Sequence, residues 1–266
     1  MFAPGIPRIL AEFHETSSVT ATFILSVYIL GFAFGPLVVA PMSELYGRSL
    51  LYNVGNVLFT IFSVCTALSK NIGMMMAFRF LMGVAGCVPI TIGSGSIADM
   101  MPVEMRGRAM AAWALGPLLG PCIGPVAGGY LIRAAGWRWV YWLIAILAGV
   151  ISVFTFFTLK ESYAPIILER KAARLRKETG NQELRSAMAK NTATAAETFK
   201  AAIIRPLRLL TMAPIITSMS FYVAITYGIL YLLFSTFSLV FPRHYGFGEG
   251  ERYVLPSWQS TPKQCN

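Results

Sequence analysis

The sequence predicts an all-α integral membrane protein with about six transmembrane helices. Three observations carry this. Hydrophobic residues fill 56% of the 266 positions. Charged residues fill only 13%, about half the share of an average soluble protein. The apolar residues come in long runs, separated by short basic clusters. With 22 basic and 12 acidic residues for a net charge of +10, a soluble domain of this size would have only a thin polar shell. These numbers exclude soluble enzymes and disulfide-rich secreted modules. They also make the basic excess a matter of membrane topology rather than of nucleic-acid affinity.

A hydrocarbon core about 30 Å thick needs roughly 20 apolar helical residues per crossing. Six stretches qualify. Residues 18–41 and 50–68 carry no charge. Residues 73–98 contain one charged residue before Asp99, namely Arg79. Residues 109–132 are uncharged but rich in Gly and Pro, and residues 137–159 have Arg138 only at their mouth. The sixth, residues 209–241, is long enough to tilt or to include an interfacial turn.

Alternating sides place Arg48, Arg106 and Arg108 with the segment 160–208, which holds eleven basic and five acidic residues. That side is the cytoplasmic one by the excess of Lys and Arg. Residues 1–17 then lie on the outer side, with no signal peptide to carry them there. Tyr46 and Tyr52 fall at the inner boundary, and Trp137, Trp139, Tyr141 and Trp142 read as an outer aromatic belt. The segment 160–208 reads as a solvated, partly helical basic linker that its charge draws to an anionic leaflet.

Three clusters carry more than hydropathy. The first is GPLVVAPMSELYGRS at residues 35–49. Glu44 and Arg48 stand four apart, the spacing of an intrahelical ion pair, and Gly47 permits a tight reversal between them. A plain hairpin turn with a topogenic arginine reads equally from these residues. The second is Arg79, which costs at least a few kcal/mol inside a bilayer without an acceptor or water. It is a functional candidate, although at about 9 Å from the outer end its side chain could also snorkel. Gly83 beside it leaves room for close helix approach. The third cluster sets Gly116, Gly120, Gly124 and Gly128 at every fourth position, with Pro117, Pro121 and Pro125 after three of them and Gly129 at the end. The glycines make one smooth stripe for helix packing, and the prolines invite a bend.

Taken together, these clusters resemble the major facilitator superfamily, and within it the fungal drug:proton antiporter branch with twelve transmembrane helices. GPLVVAPMSELYGR resembles the family's loop motif between helices two and three, RFLMG its fourth-helix motif, and LGPLLGPCIGPVAGG its fifth-helix antiporter motif. SIADMMPVEMRGRAMA, GWRWVYW and TLKESYAPIILERKAARLRKETG read like the same branch, over residues 1–248 in all.

The resemblance implies a partial major-facilitator fold equivalent to family helices two to seven. Its divisions are an N-terminal half lacking its first helix (1–159), a cytoplasmic linker (160–208), the first helix of the second half (209–241) and a divergent polar tail (242–266). It implies a conformational latch of Glu44, Gly47, Arg48 and Asp99, with Asp99 as a simple helix end near Arg106 and Arg108 the plainer alternative. It further implies a proton-coupling role for Arg79 and a hinge face along Gly116–Gly129. Tyr222 and Tyr227 are candidate pocket residues. The implied activity is proton-coupled antiport of small organic molecules such as drugs, toxins or polyamines, by alternating access, at the plasma membrane. The partners would be the bilayer, the substrate and protons.

The alternatives are an inactive fragment and a scaffold pairing with a full-length transporter. The tail departs from the family pattern, which reads as truncation at both ends. Cys65, Cys87, Cys122 and Cys265 form no metal-spaced or CxxC cluster, His14 and His244 stand alone, and no nucleophile–base constellation is present. The sequence therefore predicts no enzyme, no cofactor, no metal and no nucleic-acid partner.

Overall fold

The computed structural model describes residues 5–14, 17–181, 184–186, 203–204, 206 and 208–245. Among these residues the ordered structure is helical, with no strand. The helices are α1 (Ile6–Glu12), α2 (Ser18–Tyr46), α3 (Arg48–Ala67), α4 (Ile72–Gly86), α5 (Val88–Met100), α6 (Val103–Ala135), α7 (Trp137–Thr158), α8 (Ala164–Thr179) and α9 (Pro214–Tyr245). Among the described residues, four segments are long and apolar enough to cross a membrane: Thr22–Tyr46, Arg48–Ala67, Ile72–Met100 and Trp137–Thr158. The fourth expected stretch lies within α6, 33 residues and about 50 Å long. The sixth lies largely in α9, whose apolar part includes Pro214–Leu230. Tail residues 246–266 lie outside the described residues.

The third stretch is two helices, not one. Cys87 separates α4 from α5, and the reason is Pro89, which has no amide to donate to the carbonyl four residues back. By contrast α2 runs unbroken through Pro36 and Pro41, and α6 through Pro117, Pro121 and Pro125. Neighbouring helices and local adjustment tolerate such prolines inside a bilayer.

Two glycines let α2 and α4 meet backbone to backbone. A Cβ on Gly31 would collide with the carbonyl oxygen of Phe80, and one on Gly83 with that of Tyr28. Without a hydrophobic drive between helices in lipid, such close approach is what holds them. Helices α3 and α7 add a polar tie, in which Asn56 Nδ2 donates to Thr155 Oγ1 at 3.2 Å.

The end of the bundle away from α8 is closed by α1. Ile9 is fully buried there, with Ile6, Ala67, Met75, Ile132, Trp137, Val140 and Tyr141 in one apolar cluster. Arg8 Nη1 donates to the Ile132 carbonyl at 2.8 Å. The expected aromatic belt is therefore split. Trp139 is exposed, but Trp137 and Tyr141 are only 4% and 2% exposed. They turn inward because α1 covers the α6–α7 turn and gives them an apolar surface to pack on.

Candidate functional site

The site at the α8 end is built around Arg48. Gly47 ends α2 and precedes α3 with φ +99°, a backbone shape that glycine adopts without penalty. That reversal puts Glu44 and Arg48 on different helices, so their four-residue spacing does not run along one helix face. Glu44 is exposed on the last turn of α2. The partner across from Arg48 is Asp99, on the last turn of α5, with Nη2 to Oδ2 at 2.8 Å. Arg48 Nη1 also donates to the Ile92 carbonyl at 3.3 Å. The guanidinium lies directly on Gly95, where a Cβ would collide with Nη1. Beside it, Tyr52 Oη and Ser96 Oγ share a hydrogen bond of 3.4 Å.

The segment after α7 reaches the same place. Glu161 accepts from the Arg48 amide at 3.0 Å and from the Ser49 amide at 3.3 Å. Ser49 Oγ donates to the Leu159 carbonyl at 3.0 Å. The Tyr163 ring centre is 5.5 Å from the Arg48 guanidinium carbon, within the range of a cation–π contact.

Arg79 lies on α4 in the bundle interior, 6% exposed. Its side chain does not snorkel, and Tyr28 and Tyr141 are within electrostatic reach of it. A guanidinium keeps its proton in essentially any protein setting. Arg79 can therefore act as a fixed interior charge rather than as a proton carrier.

The glycine stripe is divided along α6. Gly124, Gly128 and Gly129 are buried, whereas Gly116, Pro117 and Gly120 are exposed. A Cβ on Gly116 or Gly120 would meet nothing within 4 Å. Pro121 and Pro125 belong to the same continuous helix. Tyr222 and Tyr227 are 68% and 54% exposed on α9, whose residues 214–229 are all exposed, so they wall no cavity with the other described residues. No group of three or more metal-ligating side chains occurs among the described residues.

The opposite end carries a second charged contact. Glu12 accepts from Trp137 Nε1 at 2.6 Å and from Arg138 Nη1, while Arg138 also lies over the Trp137 ring at 4.4 Å. Partial burial alone would raise the Glu12 carboxyl, but the bonds from Trp137 and Arg138 and the charge of Arg138 outweigh it. The net effect holds Glu12 below its ordinary value of 4.5.

Sequence reasoning passed over Glu161, Ser49, Gly95 and all of α1. The available signals for Glu161 were its place just past a span, on the side that alternation gives to Arg48, and its position within the TLKESYAPIILERKAARLRKETG run.

Long apolar helices that meet through bare glycine backbone, with an arginine–carboxylate pair at one end and a second arginine in the interior, define a multi-pass integral membrane protein. The chain belongs to the Major Facilitator Superfamily, whose family model matches residues 1–260. It is 54% identical over 250 residues to the efflux pump radE of Floropilus chiversii, covering 94% of this chain and 46% of that protein. It is 50% identical to the MFS-type transporter penM of Penicillium rubens, over 94% of this chain and 49% of that protein. For the MFS-type transporter tndD of Aspergillus flavipes the identity is 51%, over 93% and 46%. The chain thus spans about half the length of the curated relatives it matches. Those relatives are named as one efflux pump and two transporters, of a family that does not consist of enzymes.

Proposed function

We propose that the chain forms part of a transporter that exports small organic molecules across a membrane in exchange for protons. In this reading the α8 end is cytoplasmic, residues 160–208 are the linker between two halves, and the plasma membrane is the site of action. The observation that carries it is the 2.8 Å Arg48–Asp99 pair, which ties the ends of α3 and α5 at the face where the linker begins. Protonating Asp99 removes the charge opposite Arg48 and leaves its guanidinium with the Ile92 carbonyl and the Tyr163 ring. That is how a proton would loosen a latch, with Gly47 as its turn and Glu44 as a further acidic group on the same face. Arg79 would supply the fixed charge against which proton movement is coupled. The open Gly116–Gly120 stretch would face a second half, with the deeper glycines as the hinge. Tyr222 and Tyr227 would line a pocket completed by that half. The name of one relative, the efflux pump radE, supports export as the direction of transport.

Proteoliposomes carrying the chain together with the complementary half of a relative test this reading. A proton gradient should drive movement of a fluorescent organic cation, and Asp99→Asn should uncouple it from the gradient. No gradient-dependent movement in any combination would contradict the proposal. The half-length match favours a second reading, a fragment without activity of its own. Transport by the 266-residue chain alone would refute it. A scaffold that pairs with a full-length transporter through Gly116 and Gly120 would instead show as co-purification lost in Gly120→Leu.

A further inference from the structure

We propose that Glu161 is a positioning residue that ties the start of the linker to the Arg48–Asp99 pair, so that displacement of the linker is felt at the pair. This rests on the reading of that pair as a latch. Helix α7 ends at Thr158, and Glu161 follows three residues later. Its carboxylate reaches across to the first turn of α3, where the amides of Arg48 and Ser49 have no partner within their own helix. It accepts from both, at 3.0 and 3.3 Å. A negative charge is favoured at that end of a helix, and hydrogen bonds to an ionised acceptor are the stronger kind.

The same carboxylate accepts from the amides of Ser162 and Tyr163, both at 3.1 Å. One side chain therefore holds four amides, two from α3 and two from the linker. Ser49 Oγ on the Leu159 carbonyl is a parallel tie.

Gly47 fits this arrangement on two separate grounds. Its φ of +99° disfavours any side chain, and a Cβ there would occupy the space of Glu161 Oε2 and lie 3.3 Å from Ile166 Cδ1. The turn is thus shaped to admit the carboxylate as well as to reverse the chain.

The consequence is mechanical. Arg48 is gripped at both ends, its amide by Glu161 and its guanidinium by Asp99, the Ile92 carbonyl and the Tyr163 ring. A shift of the linker start by more than a hydrogen-bond length must either break the Glu161 bonds or carry the Arg48 backbone with it. In the second case the ion pair is pulled apart. Discrete contacts of this kind switch between arrangements rather than stretch.

The test is a double-mutant cycle on the 266-residue chain in lipid nanodiscs, read as thermal unfolding. Glu161→Gln and Asp99→Asn are made singly and together. Coupling through Arg48 predicts a double variant that loses about as much Tm as the worse single variant. A control cycle of Glu161→Gln with Glu12→Gln at the far end should be additive. Additive losses for Glu161 and Asp99 would overturn the proposal. A second measurement covers the case in which Glu161 variants do not fold, namely hydrogen exchange at the Ser162 and Tyr163 amides in Asp99→Asn. Coupling predicts faster exchange there, more than 60 positions from the substitution, and unchanged exchange would overturn it. Neither readout uses transport, so a coupled chain that moves no solute contradicts the transport reading and leaves this one standing.

Discussion

The two ends of the bundle are closed by different physics. At the α1 end, Ile6 and Ile9 are buried against Ile132, Trp137, Val140 and Tyr141, and the charged contact of Glu12 with Arg138 is about two-fifths exposed at its rim. At the α8 end the closure is polar, with Arg48 shared among Asp99, Glu161 and a backbone carbonyl. Apolar burial does not respond to a proton, whereas an ion pair and a capped helix end do. Under the proposed reading of the Arg48–Asp99 pair as a latch, one end stays closed and the other opens when charge changes.

The largest expected effect breaks the apolar end. Ile9→Ala removes a fully buried side chain and should cost about 2–4 kcal/mol in unfolding free energy, measured by denaturant titration in micelles. A loss below about 1 kcal/mol would mean that α1 is not part of the closure. Next, Arg48→Lys keeps the charge on Asp99 but loses the planar fork that serves two acceptors. It should cost about 1–3 kcal/mol in the same titration, the range for hydrogen bonds to charged groups. A neutral result would show that the second bond, to Ile92, contributes nothing.

Glu12→Gln sharpens the contrast, because its contact is charged yet lies at the apolar end. Given its exposure, the cost at neutral pH should be about 1 kcal/mol or less. Its carboxyl is held below 4.5. The contribution is therefore present above that pH and is lost as pH falls through the lower folded-state value. Unfolding curves of parent and variant should converge below pH 4.5, and a gap that widens there would reverse the sign. The smallest effect is expected at Gly120→Ala. Nothing lies within 4 Å of its would-be Cβ, so the isolated chain should be unchanged or stabilised by up to about 1 kcal/mol.

What could be read from the sequence follows the same division. The apolar stretches were legible because a span must be long and continuous, and Gly83 was legible as a point of close approach because small residues in lipid have few other uses. The break at Cys87 was missed although Pro89 marks it, since α2 and α6 show that a membrane proline need not end a helix. The inward turn of Trp137 and Tyr141 depends on α1, a seven-residue helix with a proline, an arginine and a glutamate, too short and polar to announce burial. The Glu44–Arg48 spacing alone could not show that the two residues stand on different helices, with Gly47 ending α2 and preceding α3. Glu161 stood 113 positions from its contact, and pairings across such a gap are written in the fold rather than in any local pattern.

The most direct test of unequal closure is amide hydrogen exchange in the parent chain and in Asp99→Asn, compared at Arg48 and Ser49 and at the backbone of α1. The account predicts faster exchange at Arg48 and Ser49 with α1 unchanged. Equal acceleration at both ends, or none at Arg48, would contradict it.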